Sequence, residues 1–452
     1  MGSNKEWDVH RIILKSACLS AFALMVPGLA SAQVTTGSSS APQLSATAVV
    51  DDYSRFYAAS KNAPIWFRPG QAEAAPLLVN ILRRSSIEGF SRSSQLAADV
   101  EAALARGQSG DPATVLEADK VLSRAWVAYV QSLSAPTPRM LYSEKWVTPV
   151  VPSTFAILGK ALRAPSLAEH LKSVSDVNPI YASLRDAAVT EATQPGGGNS
   201  ARYAANLERA RSIPATGKFV LVDAATARLW MYENGRPVDS MKVVVGKLDY
   251  RTPMVASVIW YTTFNPYWHV PDHLIRQTIA KRVQERGEAY LKQNGYQIVA
   301  DYGDNAQIIP SSSVDWKAVA AGTAKIKMRQ LPGPTNSMGK MKFNFANPEG
   351  IYLHDTPTKA YFAQSNRTLS NGCIRLEDAK RLGRWLLGSE PVAPSSEAEQ
   401  HVQLPKGIPV YVTYLTAQPH LGEQALVRDV YGWDVPGASG SFAAGKATGG
   451  GS

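Results

Sequence analysis

The sequence predicts an α+β protein: a mainly helical domain, then a β-rich domain that carries an inserted lid or capping subdomain. Three observations predict it. Apolar residues recur at helical spacing through much of residues 48–191. The run Pro195-Gly196-Gly197-Gly198-Asn199-Ser200 then breaks that pattern. Beyond about residue 215 the apolar period changes to two, the period of a strand whose faces differ.

The elements follow in order. Residues 1–32 read as a secretory signal: Arg11 and Lys15 precede the apolar run Ala17–Leu29, and Ala30-Ser31-Ala32 supplies a small-x-small cleavage pattern. The run is too short for a permanent anchor, and no later segment is long and apolar enough to cross a membrane. Export predicts a periplasmic protein. Residues 33–47 are Ser/Thr/Gly-rich and read as a linker. Within the helical domain, 48–199, the clearest amphipathic segments are Ala74–Ser85 and Leu116–Leu133. Tyr53, Phe56, Tyr57, Trp66 and Phe67 read as core aromatics rather than a sugar platform.

A short helix, Ala201–Arg211, opens the second domain, 200–417. Strands are expected at Phe219–Asp223, Arg228–Tyr232 and Val238–Gly246, with Asn234-Gly235 as a tight turn. Ser257–Phe264, Gly350–His354 and Pro409–Leu415 extend the β character. Residues 269–330 interrupt it with a helical stretch, Asp272–Gln293, and a loop-rich one; an insertion of that size is commonly a lid. Residues 418–452 read as a largely disordered extension, since the tail beyond Pro436 is Gly, Ala and Ser.

Charge and cysteine count narrow the function. The formal net charge is +10, and removal of residues 1–32, with three Lys/Arg and two Asp/Glu, leaves +9. A basic surface suits a polyanion such as an acidic wall polymer, and export argues against nucleic acid. Of two cysteines, Cys18 leaves with the signal, so Cys373 stands alone without a disulfide partner. Neither a metal-binding Cys/His cluster nor a phosphate-cradling Gly loop is present, and no cofactor or metal is expected.

Chemistry concentrates in Gly350–Leu387. His354 closes a strand-like run, and Cys373 sits in Ser370-Asn371-Gly372-Cys373-Ile374-Arg375, ahead of an expected helix at Glu377–Leu387. A thiolate is the nucleophile, and its pKa falls near a cation, a protonated His or a helix N-terminus. Arg375 supplies the cation, the helix its positive end, and His354 a base or ion-pair partner. Gly372 permits a sharp turn whose N–H groups, with that of Cys373, face a developing oxyanion.

This segment resembles the L,D-transpeptidases with the YkuD-type catalytic domain, whose signature places a strand-end His ahead of Ser/Thr-x-Gly-Cys-Val/Ile-Arg. His354, Ser370, Gly372, Cys373, Ile374 and Arg375 match it; Asn371 stands where many members carry a second His. Further pieces are similar to the large periplasmic Gram-negative members with an N-terminal scaffold domain: Asn206–Arg209, Val245-Gly246-Lys247, Arg251-Thr252-Pro253, Phe264–Trp268, Arg329–Asn336 and Gly339–Phe343. Those members carry a small peptidoglycan-binding module where this chain has only its glycine-rich break.

The resemblance implies acyl transfer on peptidoglycan stem peptides. Cys373 attacks the third residue of a tetrapeptide donor, D-Ala leaves with a proton from His354, and an amine resolves the thioester as a 3→3 crosslink. It also implies acylation by carbapenems and, as partners, other wall-synthesis enzymes. Arg375 is expected to orient a substrate carboxylate or the diamino-acid end of the donor, or to form a structural ion pair, and Ser370 to bond within the turn or cap the next segment. Asn371, Tyr352 on the His354 face, and Trp268 under the insertion complete the substrate-binding candidates. Asp355 points away from His354, so a backbone carbonyl is the expected orienter. His269 and His273 lack a nearby third ligand for a metal. A same-fold hydrolase, carboxypeptidase or wall-protein-detaching amidase is an alternative, and a non-catalytic wall-binding scaffold is another.

Overall fold

The computed structural model describes residues 51–194, 198–303, 305–419 and 426–434. The expected signal and linker lie outside these residues, as does the tail beyond Pro436.

Side-chain caps set several helix starts. Asp111, Ser153, Ser166 and Asn178 each accept a hydrogen bond from a first-turn N–H, opening helices Pro112–Leu133, Thr154–Arg163, Leu167–Asp176 and Pro179–Ala192. The apolar stripes of Ala74–Arg84 and Pro112–Leu133 meet in one cluster with Phe56, Tyr57, Trp66, Leu158 and Leu171. The N-terminal aromatics are therefore core, as their spacing predicted. Ile180, Tyr181 and Leu184 belong instead to the cluster of the β domain, although their helix precedes the glycine break. Buried Glu88 ties the two clusters together, accepting from Tyr129 Oη at 2.8 Å and Tyr181 Oη at 2.9 Å.

The β domain is a ten-stranded sheet that closes on itself. From strand Val255–Phe264 the order runs through Met341–Phe345, Leu353–His354, Ile374–Leu376, Arg236–Gly246, Arg228–Glu233 and Lys218–Asp223 to Gln400–Thr413. That last strand pairs in parallel with Lys218–Asp223 and antiparallel with Val255–Phe264, completing the circuit. Leu141–Tyr142 and Thr368–Ser370 attach to its sides. The interior is filled by Val220, Val243, Ile259, Phe343 and Val410 among others.

Three expectations change. Gly350–His354 is a strand only at Leu353–His354, because the Asn347 side chain takes both the N–H and the C=O of Ile351 at 2.8 Å, and Gly350 has φ +61°. Leu426–Asp434 is ordered where disorder was expected: Tyr431 and Trp433 are buried, and Arg209 pairs with Asp434 at 2.8 Å. The insertion is more regular than its sequence suggests, with a four-stranded sheet built from residues 268–269, 296–299, 308–309 and 327–330. The expected helix Asp272–Gln293 is divided by a π-helical turn at Ile275–Ile279 and by Gly287 at φ +72°.

Candidate active site

Strand register assembles the site. His401 pairs with Thr263, Thr263 with Lys342, Lys342 with His354, and His354 with Arg375. Directly opposed residues share a sheet face, so these five side chains form one row across five strands. Ile374 pairs with Leu353, which sets Cys373 opposite Tyr352 and two residues along that face from His354. A diagonal of this kind separates Cα atoms by roughly 7–8 Å, within reach of two side chains. The Cys373 Sγ rests 3.8 Å from the Gly350 carbonyl oxygen.

The turn that carries Cys373 is held on several sides. The Ser370 hydroxyl, buried, donates to the Cys373 carbonyl at 2.6 Å and accepts the Gly372 N–H at 3.2 Å. Thr252 Oγ1 donates to the Gly372 carbonyl at 2.7 Å and accepts the Gly246 N–H at 2.8 Å. Lys247 N–H donates to the Ser370 carbonyl at 2.9 Å, and Tyr431 Oη donates to the Gly246 carbonyl at 2.6 Å. A Cβ on Gly246 would overlap the Tyr250 carbonyl oxygen, and Gly372 sits at φ +110°. The motifs Val245-Gly246-Lys247 and Arg251-Thr252-Pro253 are thus the clamp on the Cys373 turn.

Two expectations about this turn are corrected. Gly372 serves it by conformation, because its N–H is engaged by Ser370; the Cys373 N–H has no hydrogen-bond partner among the described residues. Cys373 also does not sit at a helix N-terminus. Strand Ile374–Leu376 intervenes, and helix Ala379–Leu387 starts only after it, capped by Asp378.

The imidazole is fixed by a backbone carbonyl: His354 Nδ1 lies 2.6 Å from Asp355 O, which only accepts, so Nδ1 carries the proton and Nε2 is free. Asp355's carboxylate is used elsewhere, on the Lys340 N–H at 3.0 Å and on Lys359 Nζ at 2.8 Å. Burial, reinforced by the Arg375 charge, pushes the His354 pKa down to about 3. Burial raises the Cys373 thiol above its ordinary value, while the Tyr352 N–H, Arg375 and Lys342 pull it down. Burial prevails over these cations, contrary to the expectation of a lowered thiol. Burial thus favours the neutral form of both the thiol and the imidazole.

The remaining candidates separate. Arg375 makes no ion pair among the described residues and lies over the Tyr361 ring at 5.4 Å. Asn371 is half-buried in the turn beside Cys373. Tyr352 faces the row, with Lys342 Nζ 5.1 Å from its ring centroid. Trp268 packs instead against the insertion's own cluster, with Tyr296 at 6.4 Å, because its strand pairs with Lys327–Gln330. His269 stacks on Tyr302 and His273 on Tyr250; no three-ligand metal cluster occurs among the described residues. Buried Asn336 bonds the Pro266, Gln330 and Leu331 carbonyls, so Arg329–Asn336 closes the base of the insertion. Lys342, Thr263 and Glu399 were missed by sequence reasoning. The alternation Met341-Lys342-Phe343-Asn344-Phe345 was the available signal for the first of them.

Known proteins resemble the chain in both of its domains. The YkuD family profile, described as an L,D-transpeptidase catalytic domain, matches residues 217–412, and a scaffold-domain profile matches residues 51–187. The chain carries a YkuD-type L,D-transpeptidase catalytic domain behind a scaffold domain. A Haemophilus influenzae protein provisionally named an L,D-transpeptidase is 26% identical over 390 residues, covering 84% of this chain and 77% of its own. Among solved structures, an L,D-transpeptidase from Mycobacterium smegmatis is 12% identical with a TM-score of 0.22, covering 44% of this chain and 59% of that one. An L,D-transpeptidase from Xylanimonas cellulosilytica is 13% identical with a TM-score of 0.20, covering 46% of this chain and 68% of that one. The chain thus spans under two thirds of the Mycobacterium smegmatis protein. This transpeptidase domain contains the whole row from Thr263 to Arg375, together with the Cys373 turn.

Proposed function

We propose that this protein is a periplasmic peptidoglycan L,D-transpeptidase working through a Cys373 thioester. The observation that carries the reading is the placement of Cys373 on a clamped turn, on the same sheet face as an imidazole with a free Nε2, between two cations. His354 Nε2 takes the thiol proton as sulfur attacks the carbonyl of the donor's third residue. The unengaged Cys373 N–H faces the resulting oxyanion. Collapse expels D-Ala, which receives the proton from His354, and a thioester remains. An amine of a second stem attacks this thioester, loses a proton to His354 and restores the thiol. One acyl bond is exchanged for another, so the sequence of steps balances without ATP.

Arg375 and Lys342 favour this chemistry because both stabilise negative charge that develops beside them. The same residues serve a hydrolase if water replaces the amine, so the products decide. Purified protein incubated with disaccharide-tetrapeptide and analysed by mass spectrometry should give a crosslinked dimer with loss of D-Ala, absent in Cys373→Ala. Tripeptide as the sole product would assign a carboxypeptidase. No product together with no carbapenem adduct on Cys373 would sink the catalytic reading. The basic balance of the chain, +10, suits an acidic wall polymer.

A further inference from the structure

We propose that Lys342 and Glu399 form a divided charge pair that recognises a zwitterionic amino-acid end group of the substrate, Lys342 taking its carboxylate and Glu399 its ammonium. The inference rests on the acyl-transfer reading above and assigns the part of the donor that these residues read: the side-chain end of a diamino acid in its third position.

Lys342 stands in the catalytic row between Thr263 and His354. Its stem is covered by the sheet and its ammonium lies over the Tyr352 ring. No carboxylate pairs with it among the described residues, and its neighbour Thr263 is already engaged, accepting from Asn344 Nδ2 at 2.7 Å and meeting His401 Nδ1 at 3.0 Å. Half-buried cations are normally paired, because desolvation penalises a lone charge. Here burial pushes the Lys342 ammonium below the ordinary lysine value, with Glu399 and Cys373 opposing that shift.

Glu399 is the matching anion. It forms no ion pair among the described residues, yet it influences Lys342, Tyr352 and His269 through its charge. Its position is built at a cost. Glu399 has φ +54° and donates its N–H to the carbonyl of Asn265, which has φ +48°. Left-handed backbone at two facing non-glycine residues is strain that persists where the surroundings enforce it, often at ligand sites. The Tyr267 N–H holds one carboxylate oxygen at 2.6 Å, and the other oxygen has no partner among the described residues. Lys342, in the row beside the nucleophile, and Glu399, just ahead of strand Gln400–Thr413, carry opposite charges and form no ion pair with each other. A ligand that carries both charges on one carbon completes them, whereas a simple anion or cation satisfies only one.

The test uses the full-length Cys373→Ala protein and calorimetry with two disaccharide-tetrapeptides. One carries meso-diaminopimelate in third position, and the other carries lysine, which keeps the ammonium but lacks the carboxylate. The parent should bind the diaminopimelate peptide about tenfold more tightly, the lower end for a charge-assisted hydrogen bond. Adding Lys342→Met should remove that preference while leaving lysine-peptide affinity within about twofold, and Lys342→Arg should retain it. Glu399→Gln should weaken both peptides alike. Equal affinity of the parent for the two peptides, or an equal loss on both with Lys342→Met, overturns the inference. Turnover by the protein with Cys373 intact separates the readings: crosslinking without this preference refutes only the charge pair, and the preference without turnover refutes only the acyl transfer.

Discussion

Two buried polar clusters of this molecule obey opposite rules. In the helical domain, buried Asp119 is saturated: it accepts from Tyr57 Oη at 2.5 Å, from the Ile65 N–H at 3.0 Å and from the Trp66 N–H at 2.8 Å. Ser123 completes the cluster, bonding Tyr57 Oη at 2.7 Å and Trp66 Nε1 at 3.0 Å. In the β domain, Lys342, Arg375 and His354 Nε2 share a sheet face, and none of them has a side-chain hydrogen-bond partner among the described residues. A polar group whose partners are internal stabilises the fold. One left without a partner beside a nucleophile is a cost the fold carries for a ligand.

The sharpest way to break the contrast is Asp119→Ala, which orphans the buried Ile65 and Trp66 N–H groups and leaves the Tyr57 hydroxyl with Ser123 alone. Chemical denaturation should show a loss of about 3 kcal/mol or more, with the alkylation rate of Cys373 by iodoacetamide unchanged below the transition. Gly246→Ala reverses the balance. Its Cβ meets the Tyr250 carbonyl and shifts the clamp, so kcat/KM with tetrapeptide should fall about 100-fold for a displacement near 1 Å.

A smaller effect follows from His354, whose folded pKa is depressed from 6.5 to about 3. The unfolded chain binds a proton below about 6.5 that the folded imidazole refuses, so this contribution is complete above that pH and declines as pH falls toward about 3. Wild type should therefore lose more stability than His354→Asn between about pH 7 and about pH 5, read by urea denaturation at each pH. An identical loss in both proteins would refute the assignment. The smallest change is expected for Lys342→Met: stability within about 0.5 kcal/mol of wild type, or higher, since it removes an unpaired half-buried charge. A large destabilisation there would mean that Lys342 belongs with Asp119, as a structural group.

The helical segments, the hairpin strands Lys218–Asp223 and Arg228–Glu233, and the Ser370–Arg375 turn were legible because each is a local pattern of period or spacing. The errors have local causes too. Gly350–Ile351 has strand residues, but the Asn347 side chain occupies the backbone groups a neighbour strand needs. Trp268 follows Asn265-Pro266-Tyr267 near the site in sequence, yet its strand turns into the insertion sheet. Leu426–Asp434 reads as a tail, and its order depends on Arg209, Gly246 and Thr252, far back in the chain.

Sequence by itself determined the elements, the nucleophile and base as candidates, and the glycines of the turn, since all of these follow from the chemistry of neighbouring residues. Only the tertiary structure decided which side chains surround that nucleophile. Thr263, Lys342, His354 and Arg375 come from separate strands, and their common face is set by inter-strand register, which no local pattern encodes. The protonation of the pair was decided the same way. Arg375 was visible in the sequence as a cation that lowers a thiol pKa; the burial that outweighs it exists only once the sheet has closed.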